Sequence, residues 1–269
     1  MGKRILYISQ EITPYLPATP MSLIGQQLPQ FMQDNGDEVR IFMPKYGCIN
    51  ERRNQLHEVI RLSGMNVSID DTDHPLIIKV ATLQPSRMQV YFIDSDDYFV
   101  HKAVNDLEIN YMPEENDERL IFFAYGVIET VKKLRWEPAL IHCHGWISAL
   151  APLFLKTLYA DDPMFRNSKI VYSIYNDKFE GALNPKLIDK LIENGFAPEL
   201  LKTLNAENID HGNLSRLGIE YADAVVVASE DVDPELIEYA KSLEKPVLTI
   251  DNSVEGYEQY LKFYNEQLS

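Results

Sequence analysis

The residue types best suited to chemistry lie in a short stretch that reads HCHGW, residues 142–146. His142 and His144 are two positions apart, so in a β-strand both imidazoles point to the same side of the sheet. A zinc site would need a third protein ligand at a recognisable spacing, and the sequence offers none. We therefore predict no metal. The pair is expected to serve packing and hydrogen bonding, with His144 and Trp146 as candidates for ligand contact.

Further polar side chains follow two other apolar runs. Glu11 comes soon after RILYIS (4–9), and Tyr175 and Asn176 come directly after KIVYSI (169–174). The Glu11 carboxylate could accept hydrogen bonds from sugar hydroxyls, or could instead favour a helix N-terminus electrostatically. Asn176 could face a cleft, or could instead stabilise a turn through its own backbone. We keep Glu11, Tyr175 and Asn176 as candidate ligand-binding residues.

A basic candidate lies in a predicted helix that begins near NLSRLG, residues 213–218. The Arg216 guanidinium could hold an anion, or could form an ordinary ion pair with a neighbouring acid. The sequence contains no phosphate-binding loop motif, dinucleotide fingerprint, serine-hydrolase elbow or zinc-protease motif. By themselves, the residues therefore predict a polar cleft without assigning it a reaction.

The elements that must position these residues follow a regular pattern. Short apolar runs alternate with longer amphipathic stretches, which predicts a parallel β-sheet flanked by helices. The predicted strands are residues 4–9, 38–43, 139–142, 169–174, 224–228 and 247–250. The predicted helices are residues 22–34, 115–134, 146–158, 185–194, 211–221, 233–242 and 253–267. Residues 56–94 carry β-rich runs too close together for crossover helices, which predicts an inserted antiparallel meander. Ligands of such a sheet bind beyond the carboxyl ends of its strands, where the candidate residues fall.

Composition restricts the class of protein further. The 269 residues contain no linker rich in Pro, Gly or Ser, so we predict one α/β domain over residues 1–269. The 25 basic and 41 acidic residues give a net charge of −16, which disfavours nucleic acid and anionic membranes as partners. The N-terminal apolar run is too short for a membrane span, and the 2 cysteines make no disulfide framework. A cytoplasmic location is expected.

Several segments, in their order and spacing, resemble the glycogen/starch synthase family of retaining glucosyltransferases. They are SQEITP (9–14), LP (28–29), MPKYG (43–47), VYFID (90–94), NDERLIFF (116–123), HCHGW (142–146) and GIEYADAV (218–225). The resemblance implies a Rossmann-like domain that forms the N-terminal half of a GT-B glycosyltransferase, with the C-terminal domain absent. It also implies glucosyl transfer from ADP-glucose or UDP-glucose to an α-1,4-glucan, with no metal or other cofactor.

The sequence departs from this family at the strand ends. The family's Lys-x-Gly-Gly loop reads PATP at residues 17–20, which removes a cation and two glycines that let backbone N–H groups approach a phosphate. Gly145 replaces the Asp of His-x-His-Asp-Trp, and Tyr175 replaces the His of Thr-x-His-Asn. Arg216 replaces a lysine, which keeps the charge and changes its geometry.

Three functions are compatible with these observations. The first is a homologue with impaired catalysis that binds a glucan, a nucleotide sugar or a partner protein, or regulates a synthase. The second is an active half that is complemented in trans by a separately encoded C-terminal half. The third is a Rossmann-like binding protein for an unrelated small molecule, since a fold does not fix a function. The predicted substrate-binding residues are Glu11, His144, Trp146, Tyr175, Asn176 and Arg216.

Overall fold

The computed structural model describes residues 2–99, 115–250 and 254–269. The strands are β1 (Arg4–Ser9), β2 (Glu38–Pro44), β3 (His57–Glu58), β4 (Met65–Ile69), β5 (Thr72–Leu83), β6 (Met88–Asp94), β7 (Leu140–His144), β8 (Lys169–Ile174), β9 (Ala224–Val227) and β10 (Val247–Thr249). The helices are α1 (Pro20–Asp34), α2 (Glu51–Asn54), α3 (Asn116–Leu134), α4 (Leu150–Lys156), α5 (Leu187–Glu193), α6 (His211–Tyr221), α7 (Pro234–Ser242) and α8 (Val254–Gln267). The predicted strands and helices occur in the predicted order, and the structure adds the short helix α2, which was not predicted.

Within the described residues, the strands form a ten-stranded sheet in the order β10-β9-β8-β7-β1-β2-β6-β5-β3, with β4 paired to β5. Neighbours from β10 to β6 run parallel. Strands β3, β4 and β6 pair antiparallel with β5. The predicted parallel sheet with an inserted meander is therefore confirmed. Chain order reverses around β1, between β7 and β2, and this reversal opens a crevice beyond the carboxyl ends of the strands.

The two faces of the sheet carry separate cores because successive side chains of a strand alternate in direction. In β7, Ile141 and Cys143 belong to the core that also contains residues of α3, α4 and α6. Leu140 belongs to the opposite core, with residues of α1 and α8. In the described part of the chain, no helix is both long and apolar enough to cross a bilayer.

Helix α1 begins at Pro20, two residues before the predicted start, because its first turn is capped by its own sequence. The Thr19 hydroxyl accepts a hydrogen bond from the Ser22 N–H (3.0 Å), and the Ser22 hydroxyl accepts one from the Thr19 N–H (2.8 Å). Pro20 occupies the first helical position, where its fixed φ fits and no N–H is needed. The predicted helix over residues 146–158 is also split, into a 3₁₀ turn (Trp146–Ser148) followed by α4.

Candidate functional site

A cavity of about 620 Å³ opens at the carboxyl ends of the parallel strands. It is lined by Glu11 after β1, residues 19–21 at the start of α1, residues 175–177 after β8 and residues 229–231 after β9. The Asn176 N–H donates to the Ser229 hydroxyl (2.8 Å), which joins the ends of β8 and β9. Three of the predicted substrate-binding residues, Glu11, Tyr175 and Asn176, are therefore brought together in one cavity.

The two histidines of β7 lie beneath this cavity. Their ring centroids are 3.8 Å apart, which confirms that both imidazoles point to one side of the strand. His144 Nδ1 shares a hydrogen bond with the Tyr175 hydroxyl (2.8 Å), and His142 Nε2 shares one with the Ser173 hydroxyl (2.7 Å). Burial lowers the pKa of His144 to about 3 and holds the pKa of His142 well below its usual value. Both rings are therefore neutral near pH 7 and place no positive charge under the cavity.

Asp177 ties the cavity wall to two neighbouring elements. Its Oδ2 accepts a hydrogen bond from the Trp146 N–H (3.0 Å), and its Oδ1 lies 3.0 Å from His211 Nε2 at the start of α6. The Trp146 side chain is 1% exposed and packs edge-on against Phe179, with ring centroids 5.0 Å apart. The structure thus places Trp146, like His144, behind the lining of the cavity.

Gly145 adopts a backbone conformation that side chains other than glycine's rarely reach, with φ 80° and ψ 167°. A Cβ built on this residue would lie 2.7 Å from Gln10 Oε1 and 2.9 Å from the Met21 sulfur. Gln10 Oε1 also accepts a hydrogen bond from the Ile147 N–H (3.2 Å). Neighbouring side chains therefore fill the space that an aspartate at position 145 would need.

The Glu11 carboxylate is bound to the capped start of α1. Its Oε2 accepts a hydrogen bond from the Thr19 hydroxyl (2.6 Å), the same hydroxyl that caps the helix. Burial raises the pKa of Glu11, and the hydrogen bond from Thr19 partly opposes this rise. Helix N-termini bind anions through free N–H groups. Here Pro20 has no N–H, and the Ser22 N–H already donates to Thr19.

The charge around the cavity is negative. Its lining contains Glu11, Asp177, Glu230 and Asp231, and none of the described lining residues is Lys or Arg. Arg216, predicted to contact substrate, lies outside this lining and pairs with Glu235 (2.7 Å). Among the residues that the structure covers, no group of three or more His, Cys, Asp and Glu is arranged to hold a metal ion.

Thr19 and Met21 were not among the site residues predicted from the sequence. Both line the cavity because α1 starts at its rim. The pair Thr19-Pro20 indicates that a helix begins at Pro20, since Thr is a favoured N-cap residue and Pro a favoured first helical residue. No comparable signal marked Met21, whose position depends on the fold around Gly145.

Comparison with known proteins agrees with this architecture. Residues 4–247 match the family model described as starch synthase catalytic domain. The glycogen synthase of Pelodictyon phaeoclathratiforme is 35% identical over 235 residues, 87% of this chain and 47% of that protein. The glycogen synthase of Chlorobaculum parvum is 37% identical over 227 residues, 84% of this chain and 46% of that protein.

Among solved structures, the catalytic domain of Starch Synthase IV from Arabidopsis thaliana bound to ADP and acarbose matches with a TM-score of 0.69 and 18% identity. That match covers 99% of this chain and 50% of the other chain, and it supports the fold. The chain spans about half the length of the curated relatives that it matches. On the match to the family model and the identity to glycogen synthases, the chain belongs to the starch synthase catalytic domain family.

Proposed function

We propose that this chain is a starch synthase-like domain that binds a neutral α-glucan and does not, by itself, transfer glucose from a nucleotide sugar. One observation carries this proposal: the cavity at the strand ends is lined by four carboxylates and by no Lys or Arg among its described lining residues. Such a lining suits an uncharged ligand rich in hydroxyl groups.

A nucleotide sugar carries a negatively charged pyrophosphate. Two like charges 4 Å apart near a protein surface repel by about 4 kcal/mol, so several carboxylates would oppose its binding strongly. The start of α1 offers little compensation, because Thr19 caps the helix internally and Pro20 has no N–H to donate. Charged groups that stabilise the transition state often make the largest contribution to catalysis. A lining without Lys or Arg among its described residues therefore also argues against catalysis.

A glucan, by contrast, offers hydroxyl donors to the same groups. The carboxylate oxygens of Glu11 and Asp177 can accept hydrogen bonds, and the Asn176 amide and Ser229 hydroxyl can both donate and accept. The Arabidopsis catalytic domain binds ADP and acarbose, so the family fold accommodates ligands beyond the nucleotide. In this chain the chemistry of the cavity favours the carbohydrate over the nucleotide.

A second candidate is an active half that a separately encoded C-terminal half completes. It is supported by the share of the curated relatives that the chain covers, 47% and 46%. In this case the missing cations would come from the second chain, at a cleft that closes between the two. Two results would favour this candidate: co-purification of such a half with this chain, and glucose transfer by the two halves together but by neither half separately.

Titration calorimetry with maltoheptaose and, separately, with ADP-glucose tests the proposal. We expect maltoheptaose to bind and ADP-glucose to give no heat of binding at the same concentrations. Glu11→Gln should weaken maltoheptaose binding by about tenfold or more, because a hydrogen bond to a charged group contributes about 1.5 kcal/mol or more. Glu58→Gln, an exposed residue of β3 outside the cavity, is the control and should bind as the native chain does. Binding of ADP-glucose as tight as that of maltoheptaose, or binding of neither, would refute the proposal.

A further inference from the structure

A polar layer is buried between the sheet and α8, at a place where a helix ordinarily packs on apolar side chains. His142 and His144 of β7 form its centre, next to side chains of β1 and β8 that point to the same face. Helix α8 covers them with the buried rings of Tyr260, Phe263 and Tyr264. We call the covered group the histidine layer, and its members are His142, His144, Tyr7, Ser9, Ser173 and Tyr175.

The hydrogen bonding between this layer and α8 is incomplete. His142 bonds through one ring nitrogen to the Tyr264 hydroxyl of α8 and through the other to the Ser173 hydroxyl. Within the described residues, four buried atoms of the layer and of α8 have no hydrogen-bond partner: His144 Nε2, Tyr7 Oη, Ser9 Oγ and Tyr260 Oη. A buried polar atom without a partner costs free energy that contact with water returns. Separation of α8 from the sheet therefore recovers part of its own cost.

Side-chain contacts hold α8 to the rest of the domain. In the described part of the chain, no backbone hydrogen bond joins α8 to another element. Beyond the histidine layer, the Tyr257 hydroxyl bonds to Gln27 of α1 (2.6 Å) and Asn265 bonds to Lys3, and both contacts are exposed to solvent. The helix can therefore leave the sheet without breaking any strand pairing, as a local opening of one element.

Protonation of the histidines opposes the closed position of α8. Burial lowers the pKa of His144 to about 3 and holds the pKa of His142 well below its usual value. The two ring centroids are 3.8 Å apart, so two charged rings would also repel each other. The ion pairs of described histidines belong to His74 and His211. The titratable groups of β1, β8 and α8 that face the pair are phenols whose pKa burial raises: Tyr7, Tyr175, Tyr260 and Tyr264.

We propose that α8 is a pH-gated cover of the sheet. It separates from the sheet when the histidine pair takes up protons, while the rest of the domain stays folded. Tyr175 belongs to the histidine layer and also lines the cavity at the strand ends, so separation of α8 changes the packing behind that cavity. The inference goes beyond the proposed function, because it does not depend on which ligand the cavity binds.

The pH dependence of this opening has a defined size. In water each imidazole recovers a pKa of about 6.5, whereas the closed form binds no proton at the pair near neutral pH. One ring that reaches water therefore raises the population of the open form about eightfold between pH 6 and pH 5. Two independent rings raise it about sixtyfold, and repulsion between them reduces this figure.

Hydrogen–deuterium exchange of the full native chain, followed by mass spectrometry of its peptides, tests the proposal. The protection factor of a peptide is its intrinsic exchange rate at a given pH divided by the observed rate. We expect protection factors for α8 that are about tenfold or more below those of β1 at every pH. Between pH 6 and pH 5, the protection factor of α8 should fall by more than eightfold and by up to about sixtyfold.

Two variants identify the groups responsible. His144→Gln removes one titratable ring and keeps a polar side chain, so the fall between pH 6 and pH 5 should shrink to about eightfold. His57→Gln, at an exposed histidine of β3, is the matched control and should keep the native fall. Tyr264→Phe keeps the ring and removes the hydroxyl bonded to His142, so the protection factor of α8 at pH 7 should fall by about tenfold.

Four results would overturn the proposal. The first is equal protection of α8 and β1 at pH 5, which would show that α8 opens only when the whole domain unfolds. The second is a protection factor of α8 that stays constant from pH 7 to pH 5. The third is the same fall in His144→Gln as in the native chain. The fourth is unchanged protection of α8 in Tyr264→Phe, which decides the matter even where His144→Gln does not fold.

Discussion

His142 and His144 are the residues whose behaviour follows most directly from their surroundings. Both are almost completely buried, and each shares a hydrogen bond with a hydroxyl group, His142 with Ser173 and His144 with Tyr175. Burial penalises the charged imidazolium, so the folded pKa of each lies below the value of about 6.5 in the unfolded chain. The pair therefore stabilises the fold only while it is neutral.

This depression predicts how stability depends on pH. Below pH 6.5 the unfolded chain binds a proton at each histidine that the folded chain does not, so the free energy of unfolding falls as pH falls. Between pH 6.5 and 5 each histidine contributes a slope approaching about 1.4 kcal/mol per pH unit. We would measure the free energy of unfolding by urea denaturation at several pH values. In the His144→Gln variant, the fall of this free energy per pH unit should be smaller by about that amount. His57→Gln, at an exposed histidine of β3, is the control, and an equal flattening in both variants would contradict the account.

Sequence reasoning reached some site residues and not others, for physical reasons. Glu11, Tyr175 and Asn176 were predictable because the carboxyl ends of parallel strands meet at one edge of the sheet. The surroundings of His142 include α8, whose Tyr264 hydroxyl bonds to that ring from 122 positions away in sequence, and a local pattern does not specify such a contact. Whether Arg216 faced the cavity depended on Glu235 of the following helix, and a sequence pattern does not specify such a pairing.

At the scale of elements, the turn between β7 and the 3₁₀ segment lies against Met21, which lines the cavity. Gly145 lets the chain reverse while Gln10 and Met21 pack against its Cα. Met21 comes from the first turn of α1, so the capped start of this helix and the glycine turn depend on each other. The family's aspartate could not be reinstated at this turn without displacing both neighbours.

Alanine substitution at two glycines measures this dependence. Gly145→Ala and Gly64→Ala both place a side chain at positive φ, 80° and 82° respectively, but only the Cβ at position 145 meets other atoms. Gly64→Ala should cost about 1 kcal/mol in the free energy of unfolding. Gly145→Ala should cost about 1–3 kcal/mol more, because the new Cβ overpacks against Gln10 and Met21. Equal losses by chemical denaturation would show that the packing around Gly145 is loose.

The elements themselves were largely readable from the sequence. The meander over residues 56–94 followed from β-rich runs without room for crossover helices, and α6 was predicted with the bounds it has. The earlier start of α1 and the break between the 3₁₀ turn and α4 were not predicted, because hydrophobic periodicity locates the body of a helix better than its ends. The positive φ of Gly145 was not predicted, because the backbone conformation of a single residue depends on how its neighbours pack around it.

At the scale of the whole molecule, the starch synthase fold occurs together with a negatively charged cavity at the strand ends. Residues 4–247 match the family model, yet the described lining of the cavity has four carboxylates and no Lys or Arg. The net charge of −16 adds a long-range field of the same sign, which disfavours any anionic donor. The proposed loss of glucosyl transfer is compatible with a retained fold, because core packing fixes a fold, whereas a few groups at its edge fix the chemistry.

The most direct test of this account is the incorporation of labelled glucose from ADP-glucose into glycogen by the purified chain. The glycogen synthase of Chlorobaculum parvum, 37% identical over the shared region, is a suitable positive control under the same conditions. We predict incorporation at the level of a protein-free blank for this chain alone, together with binding of the chain to the glycogen. Sustained incorporation that rises in proportion to the concentration of the chain would contradict the central claim.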